Sequence, residues 1–210
     1  ATAAPYSLAW SNATTGSHTL TAKAFDNIGA TMTSSAVTIT VNAVTATLPT
    51  GALAEWTFDT ATGTTAPDTS GNGKTLTLGA GTSILATGRA GKGLQTNGPN
   101  SPAGANTTGA VVNTASSFTV SGWIRFDQLP LCWNQQLASQ DGVNVSGFYL
   151  GIVPPCNTQK VAFSFNMMGA DADASANFRI VSTTSPVVGT WYHLVGVRDA
   201  VANTMSLYVN

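Results

Sequence analysis

Residues 67–78, PDTSGNGKTLTL, combine residue types that are typical of two kinds of binding site. Gly73, Lys74 and Thr75 match the end of a phosphate-binding loop, but that motif requires a glycine at position 68, which is an aspartate. The carboxylate would repel a phosphate, and the alternating residues after Thr75 predict a strand instead of the helix that binds the anion. The sequence therefore argues against a nucleotide site and predicts a turn at Asn72 and Gly73.

The same turn carries two oxygen donors, Asp68 and Asn72, whose chemistry suits calcium. Calcium binds carboxylate, amide and backbone carbonyl oxygens on loops, so Asp68, Asn72 and the turn carbonyls between them form a candidate metal site. The alternative is structural, because an aspartate in a turn often accepts hydrogen bonds from the backbone N–H groups around it. A structural calcium ion is the one cofactor that the sequence suggests.

A second candidate calcium site has the spacing of the first half of an EF-hand loop. Its side chains are Asp171, Asp173, Ser175 and Asn177. The pattern lacks the glycine expected at its sixth position and the glutamate expected at its twelfth, where the chain has alanine and serine. A polar hairpin tip is therefore the alternative interpretation of residues 169–177.

The acidic residues do not form the pair that glycoside hydrolysis requires. The chain has one glutamate, Glu55, and eight aspartates, and no predicted strand places two acids on one face. The G-x-S-x-G motif of nucleophilic hydrolases is absent, and His193 lies in an alternating run without an identifiable acid partner. We expect Glu55 on the outward face of its strand, and we predict that the chain is not an enzyme.

Two cysteines, Cys132 and Cys156, favour an exported protein. A disulfide between them would close a 25-residue loop and stabilise the fold by roughly 3.5 kcal/mol through the entropy of the unfolded chain. The alternative is a pair of buried thiols. Charged residues make up only 8% of the chain, against about 25% in ordinary soluble domains. This composition favours the disulfide and hence a secreted or cell-surface protein.

The charge and hydropathy patterns argue against two classes of partner. The formal net charge is -1, and Lys and Arg form no run, so nucleic-acid binding is not expected. No apolar run approaches the ~18 residues that a membrane span requires, so membrane insertion is not expected.

A tryptophan beside the first cysteine is the best candidate for ligand binding. Trp133 precedes Asn134 and Gln135, so an aromatic ring and two amide groups lie together in the predicted disulfide loop. This combination suits a glycan or an extracellular protein. The alternative is a side chain that plugs the edge of the fold.

Short runs of alternating polarity, separated by Gly, Asn, Asp and Pro, predict an antiparallel all-β sandwich. In the run 117–126, the residues at 118, 120, 124 and 126 are apolar and share one face. The clearest predicted strands are 17–25, 37–41, 54–58, 117–126, 147–153, 161–165, 177–181, 190–197 and 205–209.

A short polar stretch that contains Pro49 and Gly51, residues 43–51, predicts a linker between two domains. Residues 1–42 hold two or three predicted strands, which are too few to bury an adequate core alone. We expect them to be the end of a domain, or to lean on the second domain, residues 52–210.

Residues 16–41, GSHTLTAKAFDNIGATMTSSAVTITV, resemble the last strands of a bacterial immunoglobulin-like domain. The resemblance rests on the pattern G-x3-L-x-A-x-A-x-D-x2-G that begins at Gly16. It implies that residues 1–42 are the C-terminal part of such a sandwich. Leu20, Ala22 and Ala24 are then expected to face inward, and residues 26–29 to turn the hairpin.

Residues 52–210 resemble the laminin-G-like jelly roll of the concanavalin-A-like lectin superfamily. Seven segments occur in the family's order: LAEWTFD (53–59), DTSGNGKTLTL (68–78), GRAGKGLQTNG (88–98), SSFTVSGWIRF (116–126), SGFYLGI (146–152), TWYHLVGVRD (190–199) and SLYVN (206–210). Members of this family often bind calcium. Their strand pattern implies that Trp56 and Trp123 lie in the core, and we expect Trp191 there as well. They also continue with further strands, so the resemblance implies a piece of a larger protein with an unpaired strand edge.

The resemblance implies a non-catalytic extracellular binding or adhesion module, for a glycan or a protein, within a larger secreted or surface protein. One alternative is an accessory carbohydrate-binding module of a larger carbohydrate-active enzyme. Another is a structural subunit of an extracellular filament or sheath, in which self-association through unpaired strand edges completes the fold.

Overall fold

The computed structural model describes residues 10, 13–14, 16–41, 48–97, 104–129, 134–153 and 161–210. The chain divides into two compact units, Ala1–Pro49 and Thr50–Asn210, which we call the N-terminal and the C-terminal unit. All regular secondary structure among the described residues is β-strand, and all strand pairs are antiparallel, as the sequence predicts. That part of the chain contains no helix able to span a membrane.

The described part of the N-terminal unit is a hairpin of two successive ladders. Its strands are β1 (Gly16–Leu20), β2 (Lys23–Phe25), β3 (Thr31–Thr33) and β4 (Val37–Val41). The outer strands β1 and β4 pair with each other, and the inner strands β2 and β3 do the same. Ala22 and Ser34 lie between the two ladders and exchange two hydrogen bonds.

The turn of this hairpin lies where the sequence predicts it. Asp26 Oδ1 accepts hydrogen bonds from the backbone N–H groups of Ile28 and Ala30 at 3.0 and 2.8 Å. Gly29 has a φ of 87°, which a glycine adopts without steric cost.

The expected inward orientation of Leu20, Ala22 and Ala24 is wrong. All three residues are exposed, because the two ladders of the described N-terminal unit have no second layer between which a core could form. The immunoglobulin-like assignment of residues 1–42 stays a prediction, and so does the linker at 43–51.

The first part of the C-terminal unit holds two small sheets. Its strands are β5 (Thr65–Ala66), β6 (Leu76–Leu78), β7 (Thr82–Leu85), β8 (Gly93–Thr96) and β9 (Ala105–Asn106). One sheet has the order β5–β6–β9, and the other is the hairpin of β7 and β8. The predicted turn at Asn72 and Gly73 lies in the loop that joins β5 to β6.

The second part of this unit holds two larger sheets. Its strands are β10 (Phe118–Arg125), β11 (Gln135–Asp141), β12 (Ser146–Val153), β13 (Ala162–Met168), β14 (Asn177–Val181), β15 (Trp191–Asp199) and β16 (Thr204–Val209). A three-stranded sheet has the order β10–β15–β16, and a four-stranded sheet has the order β11–β12–β13–β14.

The inner faces of these two sheets enclose the main hydrophobic core. Leu150, Phe163, Phe165 and Leu194 are fully buried in it. The sheets touch where Phe165 packs on Gly196, since a methyl group at that glycine would lie 2.7 Å from Phe165 Cδ2. The two sheets therefore form a β-sandwich, and its core is built by the period-two burial that the sequence predicts.

Two of the predicted core tryptophans lie on the outer face of the three-stranded sheet instead. Phe118 and Ile124 face the core, so the alternation of β10 turns Trp123 outward, and 42% of its surface is exposed. Trp191 stands opposite Arg125 in the ladder and is half-buried beneath its guanidinium group.

A second, smaller core confirms the prediction for Trp56. This side chain packs against a buried cluster that includes Ala66, Leu76 and Leu78. Its indole Nε1 donates a hydrogen bond to the Lys74 carbonyl oxygen at 2.6 Å, so both its apolar ring and its polar atom are accommodated.

The predicted strand at residues 54–58 is wrong. The segment has no strand partner among the described residues, because its backbone bonds to the loop before β6. The Glu55 N–H group donates to Asp68, and the Glu55 carbonyl oxygen accepts from the Thr69 N–H group at 2.8 Å.

Candidate functional site

Asp68 organises the turn that its sequence context singles out. Its Oδ1 accepts hydrogen bonds from the backbone N–H groups of Glu55 and Ser70, and its Oδ2 accepts one from that of Lys74, each at 2.9 Å. Two glycines of the turn have φ values of 88° and 70°, which let the chain fold around the carboxylate. These contacts match the structural alternative for Asp68.

The same hydrogen bonds keep Asp68 ionised. Desolvation raises the pKa of this carboxyl group, but donation from Glu55, Ser70 and Lys74 outweighs it and holds the pKa well below the ordinary value of 3.8. Asn72 bonds elsewhere, because its Nδ2 donates to the Ala52 carbonyl oxygen at 3.0 Å and to the Ser70 hydroxyl at 3.1 Å.

Asp171, from the second predicted calcium site, joins two loop tips at one end of the four-stranded sheet. It accepts hydrogen bonds from the backbone N–H groups of Val143, Asn144 and Val145 at 2.7, 2.8 and 2.9 Å. These bonds lower the pKa of its carboxyl group, and desolvation opposes them only weakly. Gly142 permits this approach, because a methyl group there would lie 2.6 Å from Asp171 Cγ.

The other predicted ligands of that site belong to the hairpin between β13 and β14. Ser175 Oγ accepts a hydrogen bond from the Ala170 N–H group at 2.7 Å, and Asn177 pairs with Met168 in the ladder. Asp173 is exposed. The described residues contain no group of three or more His, Cys, Asp or Glu that could hold a metal ion. Calcium at either predicted site stays a prediction.

The outer face of the four-stranded sheet carries several polar side chains, which on β13 alternate with core residues. Tyr149, Asn166 and Arg179 stand opposite one another on β12, β13 and β14 and form one row across the sheet. Ser139 of β11 extends the row. We call this surface the polar face, and its residues are Gln136, Ser139, Tyr149, Ser164, Asn166 and Arg179.

Asn166 holds the guanidinium group of Arg179 in place. The asparagine is only 4% exposed, although it points away from the hydrophobic core. With its amide oxygen toward Arg179, the Nε and Nη2 atoms of the arginine donate to it at 3.0 and 3.2 Å. Its amide nitrogen then donates to the Phe165 carbonyl oxygen at 3.3 Å. A buried neutral amide thus fixes an exposed cation.

Gln136 adds a buried acceptor at one side of the polar face. It stands opposite Gly151, whose missing side chain makes room for it, since a methyl group there would lie 2.8 Å from Gln136 Oε1. That oxygen is buried and accepts no hydrogen bond from the described residues.

Most acidic side chains of the chain hold its backbone or a neighbouring side chain. Carboxylates that accept hydrogen bonds from backbone N–H groups are those of Asp26, Asp59, Asp68, Asp171 and Asp199. Three further acids bond to neighbouring side chains, namely Glu55, Asp127 and Asp141. All nine acids lie in the described residues, and only Asp173 has neither kind of contact there.

A comparison with protein-family models identifies the larger part of the sandwich. The laminin G model of the concanavalin A-like lectin/glucanases superfamily matches residues 99–210, slightly more than half of the chain. The chain belongs to this superfamily. Its match shows the jelly-roll sandwich that the resemblance implies, and the family description covers lectins as well as glucanases. No curated protein and no solved structure matches the chain.

The laminin G-like sandwich has a second outer face of different chemistry, on the three-stranded sheet. The Trp123 ring contacts the guanidinium group of Arg89, 4.6 Å from its centroid, and the His193 ring, with centroids 5.1 Å apart. Tyr208 is 60% exposed and stands opposite Val195. Because two neighbours already occupy the Trp123 ring, this face offers less free aromatic surface for a sugar than its exposure suggests.

The predicted loop site of the laminin G-like domain is described only in part. Both cysteines and Trp133 lie outside the described residues, so the disulfide and the stacking role stay predictions. Asn134 is exposed, and Gln135 is the first residue of β11. The next residue, Gln136, belongs to the polar face, so the predicted site and the polar face adjoin in the sequence.

Proposed function

We propose that the laminin G-like domain is a non-catalytic binding module that recognises a glycan on its polar face. The observation that carries the proposal is the row of Tyr149, Asn166 and Arg179, which places an aromatic ring, a buried amide and a guanidinium group side by side. Ligand sites combine apolar surface with a few placed polar groups in this way. Because strands hold these groups before binding, little conformational entropy is lost on association.

The acidic residues support binding over hydrolysis. A glycosidase needs two carboxyl groups facing each other across the scissile bond. The hairpin beside the polar face holds two aspartates. The carboxylate of Asp171 is already occupied by three backbone N–H groups, and Asp173 is exposed and accepts no hydrogen bond from the described residues. Asp141, at the end of β11, accepts a hydrogen bond from the Ser146 hydroxyl at 2.5 Å.

The composition supports a secreted or cell-surface location. Few residues are charged, and the two cysteines are suited to an oxidising compartment. In that setting the module would attach a larger protein to a glycan. An accessory module of a carbohydrate-active enzyme would use the same binding face in a different parent protein.

A glycan array probed with the whole chain tests the proposal. We expect binding by the wild-type chain, and a loss of about tenfold or more for Tyr149→Ala, because this change removes the aromatic surface of the row. Trp123→Ala is the matched control, since it removes an aromatic ring from the other outer face. Trp133→Ala tests whether the predicted loop contributes. A folded chain that binds no glycan contradicts the proposal.

Self-association is a second candidate function, supported by the free edge of β10. This strand has eight residues and pairs only with β15 among the described strands. Its register is continuous, it contains no proline, and Arg125 at its last position is its one charged residue. Natural edge strands usually carry bulges, prolines or inward charges that prevent pairing with another chain. By contrast, the edge strand β11 has two register shifts.

The mass of the native particle tests self-association. The chain has a mass of 21.4 kDa, and pairing through β10 predicts a dimer or a longer assembly. Thr119→Pro in β10 should dissociate it, because proline removes a backbone donor from the edge or clashes with the added strand. A wild-type chain that stays monomeric at high concentration contradicts this function.

A further inference from the structure

The polar face carries one charged side chain, and the chain does not neutralise it. Arg179 forms no ion pair with the described residues. The ion pair found among them joins Arg125 to Asp127. The segments outside the described residues contain no Asp or Glu. Its contact to Asn166 is to a neutral amide, which fixes the direction of the guanidinium group without cancelling its charge. A positive charge therefore stands at a fixed place on this face.

The contact to Asn166 leaves a second edge of the guanidinium group without a hydrogen bond to the described residues. Arginine has five N–H groups, and the amide oxygen of Asn166 faces the edge formed by Nε and Nη2. The edge formed by Nη1 and the outer N–H of Nη2 remains, and it presents two parallel donors. A carboxylate or a sulfate accepts two such hydrogen bonds at once, which a neutral hydroxyl group does not. The free edge is thus suited to an anionic oxygen pair.

Tyr149 adds the surface that an uncharged part of the same ligand needs. It lies in the same row as Arg179 with one strand between them, a separation of about 10 Å between backbones. Long side chains bridge much of that distance. A sugar ring packed on Tyr149 would therefore bring an acidic group on it, or on the next sugar, to Arg179.

We infer that the ligand of the polar face is an anionic glycan, whose carboxylate or sulfate group is bound by Arg179 while a sugar ring packs on Tyr149. This inference rests on the proposed function and adds the chemical class of the ligand. Asn166 is a positioning residue, because it acts on the ligand through Arg179.

An array of matched pairs tests the inference with the whole chain. The probes are oligosaccharides of galacturonic acid beside their methyl esters, sulfated chondroitin oligosaccharides beside their desulfated forms, and neutral galactose oligomers. The methyl ester keeps the sugar and removes the charge. We expect binding to one acidic series, and a loss of about tenfold to a hundredfold when its anionic group is masked. The two acidic series separate carboxylate from sulfate recognition.

Variants of the same chain assign the effect to Arg179. Arg179→Ala should lose the same factor as masking the anion, and it should bind the masked and unmasked forms equally. Arg179→Lys keeps the charge without the paired donors, so an intermediate loss is expected. Arg125→Ala removes the same charge from the other sheet and should bind like the wild type. Arg179 is exposed, so these variants are expected to fold, and melting curves check this.

The outcomes separate the inference from the proposed function. Binding of galactose oligomers that Arg179→Ala does not weaken, but Tyr149→Ala does, overturns the anionic ligand and leaves the glycan-binding function standing. A chain that binds none of the oligosaccharides but binds an acidic peptide through Arg179 overturns both the anionic-glycan ligand and the glycan-binding function. Selective binding of an acidic series that Arg179→Ala abolishes, and Arg125→Ala does not, supports both.

Discussion

Replacing Asp68 with alanine removes the shared acceptor of three backbone N–H groups, those of Glu55, Ser70 and Lys74. A hydrogen bond to a charged group contributes about 1.5–3 kcal/mol to stability. Asp68 is only half-buried, so water replaces part of each bond, and about 1 kcal/mol for each N–H group is the appropriate scale. The free energy of unfolding should therefore fall by about 3 kcal/mol.

Thermal unfolding of the whole chain, followed by circular dichroism, measures this loss. For a domain of this size the midpoint should fall by about 6–12 °C, at about 2–4 °C per kcal/mol. Asp173→Ala is the matched control, because this exposed aspartate accepts no hydrogen bond from the described residues and should change stability by less than about 0.5 kcal/mol. An Asp68→Ala variant whose unfolding midpoint equals that of Asp173→Ala refutes the structural role of Asp68.

The pH dependence gives a second check on Asp68. Its pKa is lowered in the folded chain, so its stabilising contribution is complete above the pKa of the unfolded chain, about 3.9. The contribution is lost as the pH falls below the pKa of the unfolded chain toward the lower pKa of Asp68 in the folded chain. The difference in midpoint between wild type and Asp68→Ala should therefore be constant near neutral pH and shrink below about pH 4.

Three further perturbations should each shift the unfolding midpoint. Gly196→Ala places a methyl group against Phe165 and should lower the free energy of unfolding by about 1–3 kcal/mol. Gly104→Ala is the control, because its methyl group would have no atom within 4 Å and should lower stability far less. Equal midpoints for the two variants would contradict the close packing of the sheets. A thiol reductant should lower the midpoint if Cys132 and Cys156 form the predicted disulfide, and no change would favour buried thiols. Chelation by EDTA should lower it if calcium occupies either predicted site, and an unchanged midpoint discards both sites.

Period-two alternation predicted most of the sandwich because burial on one face is a local property of a strand. Residues 117–126 and 161–165 place their apolar side chains in the core as expected. The same rule turns Trp123 outward, and the error came from the strand pattern of the family, which implied a core position for this residue. β11, QQLASQD, was not among the predicted strands, because it is polar and two register shifts break its alternation.

The polar face was not predicted, because it depends on how strands pair. The run FSFN on β13 already indicates that Ser164 and Asn166 lie opposite the buried phenylalanines. The run does not indicate the register of strand pairing, which aligns Asn166 with Tyr149 on β12 and with Arg179 on β14. Asp68 was predicted with two possible roles, and the contacts that match the structural role come from N–H groups six and thirteen residues away, which the turn sequence alone does not place.

A titration of the isotope-labelled chain with the best-binding oligosaccharide, followed by amide chemical shifts, tests the location of the ligand most directly. The account predicts that the largest shifts fall on β12, β13 and β14 around Tyr149, Asn166 and Arg179, with small shifts on β10 and β16. Shifts concentrated around Trp123 and Tyr208 on the three-stranded sheet would contradict it.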